Sequence, residues 1–162
     1  MIGKVSPHGQ GVTGLVYYLF GPGRQAEHTD PHIVAGWRHP AELEPPLRDD
    51  GRRDFRHLTG LLRQPHAALG PRGAPRPVWH CSVRAAPDDR ILSDDEWAQV
   101  ACETMHRTGL APYGQEDDAV RWIAARGTPR ITSTSWPCWP VRTEPVPRPG
   151  TTFPRRRCVP GS

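Results

Sequence analysis

No apolar run in the 162 residues approaches the roughly 18 that a membrane-crossing helix needs. The opening segment, MIGKVSPHG, lacks the apolar stretch of a secretory signal, so a cytoplasmic location is expected. Cysteine is sparse. Cys81, Cys102, Cys138 and Cys158 form no CxxC pair, and their wide spacing fits neither a zinc knuckle nor a disulfide framework. Free thiols in a reducing compartment are the expectation. Apolar residues make up only 36%, while 16 Gly and 20 Pro punctuate the chain. One domain with a modest core follows from that composition. Histidine is absent after His106.

The net charge of +4 points at first to nucleic acid, but its distribution matters more. Residues 1–127 carry 15 Lys+Arg against 16 Asp+Glu, a balance of −1; residues 128–162 carry 6 Arg against 1 Glu, a balance of +5. The excess therefore belongs to the last segment, which also holds 8 prolines in 35 residues. Proline removes ladder donors and breaks helices, so 128–162 is expected to stay out of the sheet as an unstructured Pro/Arg-rich tail.

Within 1–127 the pattern mixes strands and helices. Residues 2–6 alternate enough for a first strand. Val12, Leu15, Val16 and Leu19 recur at helical spacing over 10–20, and Gly21-Pro22-Gly23 ends that helix. PHIVAGW, residues 31–37, reads as a short strand or a buried turn. An irregular excursion over 40–77 carries one apolar helical stretch near 55–62. VWHCSVR, residues 78–84, is the best strand, with Trp79, Cys81 and Val83 on one face and His80, Ser82 and Arg84 on the other. Ser93 and Glu96 make a capping box for a helix that places Trp97, Val100, Ala101 and Met105 inward and stops at Gly109. Residues 119–126 read as another strand. The fold class is α+β, an antiparallel sheet with helices packed on it.

Two adjacent tyrosines, Tyr17 and Tyr18, ride on the first helix and flank its apolar stripe. Gly14 lies one turn before Tyr18 and would let a large ligand approach that hydroxyl. A phenol near its ordinary pKa becomes a nucleophile only with a base or a metal-polarised target; otherwise both are half-buried rings with wet tips. Arg24 follows the turn and suits either a phosphate or the helix C-terminus. His28 and His32 have metal-pair spacing, but Asp30-Pro31 breaks any helix between them. His39 lies close by. His80 either touches a ligand or is a hydrogen-bonded structural residue.

These blocks, MIGKVSPHGQG, VYYLFGPGR, EHTDPHIVAGW and WHCSVRAAPDDRILSDDEWAQVACETMHRTGLAP, together resemble the N-terminal part of bacterial plasmid mobilisation relaxases. The resemblance covers residues 1–126, with gaps in 40–77. It implies a helix-borne tyrosine that attacks a scissile phosphate in single-stranded DNA at a transfer origin, with Tyr18 matching the nucleophile and Tyr17 second. It also implies a divalent metal, Mg or Mn, held by a His-x3-His-x-His block, contacts with DNA from Arg24, His80 and Arg84, and relaxosome partner proteins. The block is missing: where it should follow the strand at 121–126, the chain reads GTPRITSTSW. Without those ligands nicking is not expected.

Reading residues 127–140 from the same DNA one frame over offers an explanation. Each new codon takes the third base of one codon and the first two of the next. Trp136–Pro137 and Trp139–Pro140 must each give Ala, and Cys138–Trp139 must give Leu. Ser135–Trp136 and Pro137–Cys138 can give only Leu, Met or Val. Upstream, 127–128, 131–132 and 133–134 each give His when the third base is C. The shifted frame thus permits His-x3-His-hydrophobic-His and forces an apolar run after it. A relaxase reading frame lost near codon 127 is the inferred history. A loss of central strands would leave apolar sheet edges exposed. A non-catalytic DNA-binding or accessory protein, using Arg155-Arg156-Arg157 as a phosphate arm, is the alternative; a plain α+β domain without DNA affinity is the third. Sequencing the gene around codon 127 is expected to yield the histidine triplet in the shifted frame; a triplet-free frame would end the frameshift idea.

Overall fold

The computed structural model describes residues 1–21, 30–86, 88–115, 120–127 and 134–135. Arg24 and His28 lie outside these, as does the tail except for Thr134 and Ser135. Five strands form one antiparallel sheet: β1 Ile2–Gly9, β2 His32–Gly36, β3 Val78–Arg84, β4 Ile123–Arg126 and β5 Thr134–Ser135, in the order β1-β3-β5-β4-β2. Helices α1 Val12–Phe20, α2 Pro40–Leu43, α3 Arg56–Leu69 and α4 Asp94–Arg107 complete the described fold, with a 3-10 turn at Gly70–Arg72. The α+β expectation is met.

Alternation in β3 sorts its side chains between two cores. Cys81 and Val83 are buried with Trp97, Ala98, Ala101, Cys102 and Met105 of α4, and half-buried Trp79 packs against the same cluster. Val78 points the other way, into a cluster with Val12 and Val16 of α1, Leu58 and Leu62 of α3, Ile33 and Ile123. Burying one such side chain contributes about 1.5–3 kcal/mol. A surface i,i+4 ion pair such as Glu103–Arg107 contributes only about 0.3–0.5 kcal/mol, so the two clusters hold the fold.

Local chemistry explains most boundaries. β1 pairs with β3 from Ile2↔Arg84 to Ser6↔His80 and then slips one residue before Gly9↔Val78. The extra residue falls at Pro7-His8, where proline has no N–H for a ladder. Ser93 and Glu96 form both bonds of the capping box, and Gly109 takes a φ of 71° after the C-cap Thr108. The fourth strand is shorter than 119–126 because its ladder begins at Ile123, opposite Gly36. Trp122 is nevertheless buried, and its carbonyl accepts from Trp37 N at 3.1 Å.

Three expectations need correction. The helical stretch near 55–62 extends to Leu69 straight through Pro65. Proline leaves the carbonyl four residues earlier, Leu61 O, without its helical donor. Arg121 Nη1 donates to that carbonyl at 2.5 Å and to Gln64 Oε1 at 2.7 Å, so the break is filled from another element. Second, Cys102 is disulfide-bonded, against the expectation of free thiols, while Cys81 is free and buried. Third, Thr134–Ser135 of the proline-rich segment does enter the sheet: Ser135 pairs with Ser82 and with Ala125, and Thr134 with Val83. ITSTSW is free of proline between Pro129 and Pro137 and rich in β-branched residues, which suits a short strand.

The outer edge at β2 is partly closed by a buttress. Glu44 accepts the Ile33 N–H at 2.7 Å and pairs with Arg53, whose Nη2 donates to Pro31 O at 3.0 Å. That occupies an edge donor which would otherwise invite another strand. Ser135→Pro should remove a donor from β5 and lower stability by about 1 kcal/mol or more, read as a reduced urea midpoint. An unchanged midpoint would mean that β5 contributes nothing to the sheet.

Candidate functional site

α1 leaves β1 after the Gly9–Gly11 turn and lies on the sheet face that Val78, Ile33 and Ile123 share. Its buried stripe is Val12, Val16 and Leu19, as the spacing predicts, with Leu15 half-buried. The tyrosines fall outside that stripe: Tyr17 is 59% exposed and Tyr18 42%. The Tyr17 ring meets Phe55 edge-on at 4.8 Å, and Phe55 in turn lies 5.4 Å from Phe20. Tyr17 is therefore braced from one side by α3's leading residue. The space above Gly14 is open, since a Cβ there would meet nothing within 4 Å. Gly21 ends the helix by close approach: a Cβ would sit 2.8 Å from the Tyr17 carbonyl oxygen.

On this same face, β1 and β3 set side chains in rows. Cross-strand partners point to one side of a sheet, so Ile2 stands beside Arg84, Lys4 beside Ser82, and Ser6 beside His80. Arg84 and Lys4 are exposed, Ser6 and Ser82 half-buried. His80 is half-buried, and its Nε2 is sealed from solvent with no hydrogen-bond partner among the described residues. Burial pushes the imidazole pKa below its ordinary value, so His80 is neutral at physiological pH. A phosphate cannot reach Nε2 in this arrangement, and the expected hydrogen-bonded structural role is not met at that atom either.

His32 and His39 have structural work. His32 Nδ1 bonds Asp30 O at 2.8 Å, and its Nε2 lies 3.2 Å from Asp94 Oδ2. Asp94 also pairs with Arg126 across the end of β4. His39 caps α2, accepting from Ala41 N at 3.3 Å. Arg24 and His28 lie outside the described residues. Among the described residues no three His, Cys, Asp or Glu side chains converge. The polar side chains that the β1–β3 register sets on this face are two serines, two cations and one sealed imidazole, a set that does not fit a divalent metal.

The structure thus brings Tyr17, Tyr18, His80 and Arg84 to one side of the sheet. Lys4, Ser6 and Ser82 join them there unexpected. The alternation of VWHCSVR marks Ser82 as facing with His80, but only the β1–β3 register reveals Lys4 and Ser6.

His80 generates a pH signature. Its folded pKa lies below the ordinary 6.5, so the unfolded chain binds more protons between the two values, and stability falls as pH drops through that window. Glu96, held at about 2 by the Arg90 guanidinium and by the Ser93 N–H, loses its contribution only as pH falls below the ordinary 4.5. His80→Gln should flatten the stability profile as pH drops below the ordinary 6.5 of a histidine and leave the Glu96 contribution to the acid limb intact. An unaltered slope in that range, followed by denaturant melts, would show that His80 is not the group responsible.

Comparison of the chain with models of known protein families, with curated proteins and with solved structures finds no match.

Proposed function

We propose that this chain descends from a mobilisation relaxase, the class that nicks one DNA strand at a transfer origin by tyrosine transesterification, and that the chain itself does not nick. The observation that carries the reading is the display of Tyr17 and Tyr18 on α1, both exposed, above an open Gly14, on the sheet side that holds Arg84. Both rings expose much of their surface, more than a core role asks of a tyrosine.

The chemistry explains the second half. A phenol is a weak nucleophile at neutral pH unless a base or a metal-polarised target activates it. Transesterification requires charge stabilisation on the scissile phosphate, and a metal ion in the relaxase role supplies several kcal/mol of it. His80 Nε2 is sealed from solvent, so it offers the tyrosines no general base in this arrangement. β5 occupies the position between β3 and β4 with Thr134–Ser135, the very codons at which the shifted frame permits its last histidine and begins its apolar run. Ancestral partners of such a protein are single-stranded DNA and relaxosome proteins, in the cytoplasm.

A transfer-origin oligonucleotide incubated with the chain and Mg²⁺ or Mn²⁺ should remain uncut on a denaturing gel. Cleavage that leaves protein on the 5′ end, and that vanishes in Tyr18→Phe, would overturn the proposed incompetence. Cleavage that vanishes only in Tyr17→Phe would do the same and reassign the nucleophile.

A further inference from the structure

Among the described residues Asp30 is the one non-glycine with a positive φ, 50°. The left-handed region is uncommon for such residues, and a following proline pushes its predecessor towards extended backbone, so Asp30 ahead of Pro31 is strained on both counts. The first residue of β2 reaches back to it: His32 Nδ1–H donates to the Asp30 carbonyl oxygen at 2.8 Å. On its other side His32 Nε2 lies 3.2 Å from Asp94 Oδ2, at the start of α4. A carbonyl and a carboxylate are both acceptors, so the two contacts are met together only by an imidazolium, which carries N–H on each nitrogen. Arg126, opposite His32 on β4, holds the second Asp94 oxygen. Beyond the Asp30–Pro31 bond, Arg53 Nη2 donates to the Pro31 carbonyl oxygen at 3.0 Å. The bond is thus gripped from both sides. Asp30 is exposed, so water reaches it, and among the described residues its carboxylate has no ion pair or hydrogen bond.

We propose that the chain cleaves itself between Asp30 and Pro31, with the Asp30 carboxylate as nucleophile and His32 as the donor to the scissile carbonyl. The activity uses neither the tyrosines nor DNA nor a metal, and it goes beyond the ancestry proposed above. One Asp30 carboxylate oxygen attacks the backbone carbonyl carbon of its own residue and closes a five-membered ring. Negative charge gathers on the carbonyl oxygen, where the His32 N–H already points. Collapse re-forms the carbonyl and breaks the bond to the Pro31 nitrogen, which keeps the electron pair and takes a proton from the His32 imidazolium. The products of this step are a cyclic anhydride at residue 30 and a secondary amine at Pro31. Water then opens the anhydride to two carboxylates, one on the side chain and one at the new C-terminus. Of the two protons released, one returns to His32 and one charges the amine, so the net reaction consumes one water. Proline suits the leaving position because its nitrogen carries no N–H that the fold could pin by a hydrogen bond. Strain in the Asp30 backbone is released by the cut, which is the direction expected where a fold holds an unfavourable φ at a reacting residue. Asp94 is a positioning residue: it holds the ring from behind and favours its charged form. The cut divides the chain between α1 and β2, while β1 keeps its ladder with β3.

The test incubates the purified full chain with EDTA and protease inhibitors, without DNA, and follows it by intact mass and N-terminal sequencing. A fragment that begins Pro31-His32-Ile33 should accumulate with first-order kinetics at a rate independent of protein concentration. The same chain in concentrated guanidinium should cleave more slowly, since only the fold brings His32 to the carbonyl. Asp30→Asn should abolish the fragment; asparagine tolerates the left-handed backbone, so this variant keeps the fold. His32→Phe should slow cleavage by about tenfold or more, short of the roughly 10²–10³ of a buried oxyanion donor because His32 is partly exposed. Far-UV circular dichroism confirms that the variants fold. Asp94→Asn should move the upper limb of the pH–rate profile towards acid, because Arg126 then faces His32 without the carboxylate that favours its charge. A lower rate with an unmoved profile would overturn the positioning role of Asp94. No fragment from the folded chain, an equal rate in guanidinium, or an unchanged rate in Asp30→Asn or His32→Phe overturns the proposal. Sequencing around codon 127 and the nicking assay do not bear on any of these outcomes.

Discussion

The sheet depends on two residues. β1 with β3 and β4 with β2 are two antiparallel pairs, and among the described residues Thr134–Ser135 joins them, bonded to β3 on one side and to β4 on the other. Each pair leans on a different combination of helices. α4 packs over β2 and β4, whereas α1 and α3 share the opposite face. Two apolar clusters therefore press on a sheet whose middle is its shortest strand. A two-residue ladder contributes few hydrogen bonds, each about 1 kcal/mol net, so side-chain burial above and below carries the junction.

That division of labour leaves one part of the sheet uncovered. The clusters collect at Val78, Ile33 and Ile123 on one face and at Cys81, Val83 and Ala124 on the other. β1 is mostly exposed along its length, and the row from Ser6 to Arg84 is polar. α1 packs on the same face at Val78 and holds its tyrosines outward because Val12, Val16 and Leu19 claim its inner stripe. Site and core are separated by helical geometry rather than by distance along the chain. The same geometry makes His80 ambiguous: its strand position is functional in character, while its ring is sealed and neutral.

Features set by near neighbours in sequence were legible. The α1 stripe, the two faces of β3 and the Ser93–Glu96 box follow from periods of 3.6 and 2 and from hydroxyl chemistry, and all three are present. What depends on distant partners was not. The proline content of 128–162 argued against any strand, and only a sheet gap flanked by β3 and β4 draws Thr134–Ser135 in. The apolar pattern near 55–62 did not extend to the helix end at Leu69, beyond Pro65, where Arg121, far along the chain, takes the carbonyl that the proline leaves without a donor. In the candidate site, Tyr17, Tyr18, His80 and Arg84 could be named from residue type and spacing. Lys4 and Ser6 could not, because nothing in MIGKVSPHG states its register against VWHCSVR.

Arg121 and Pro65 have no need to touch for each to set the terms of the other. The guanidinium answers a carbonyl that is unpaired only because residue 65 is proline. An Ala at 65 would supply the missing N–H and leave Arg121 with its Gln64 contact and its place over the Trp37 ring, 6.0 Å away. Loss of Arg121 is thus costly in one background, by the about 1–3 kcal/mol of an orphaned carbonyl, and mild in the other. Sequence drift at these two sites is conditional: a chain that keeps the proline must keep the arginine, and the order in which the two are exchanged decides whether the intermediate is tolerated.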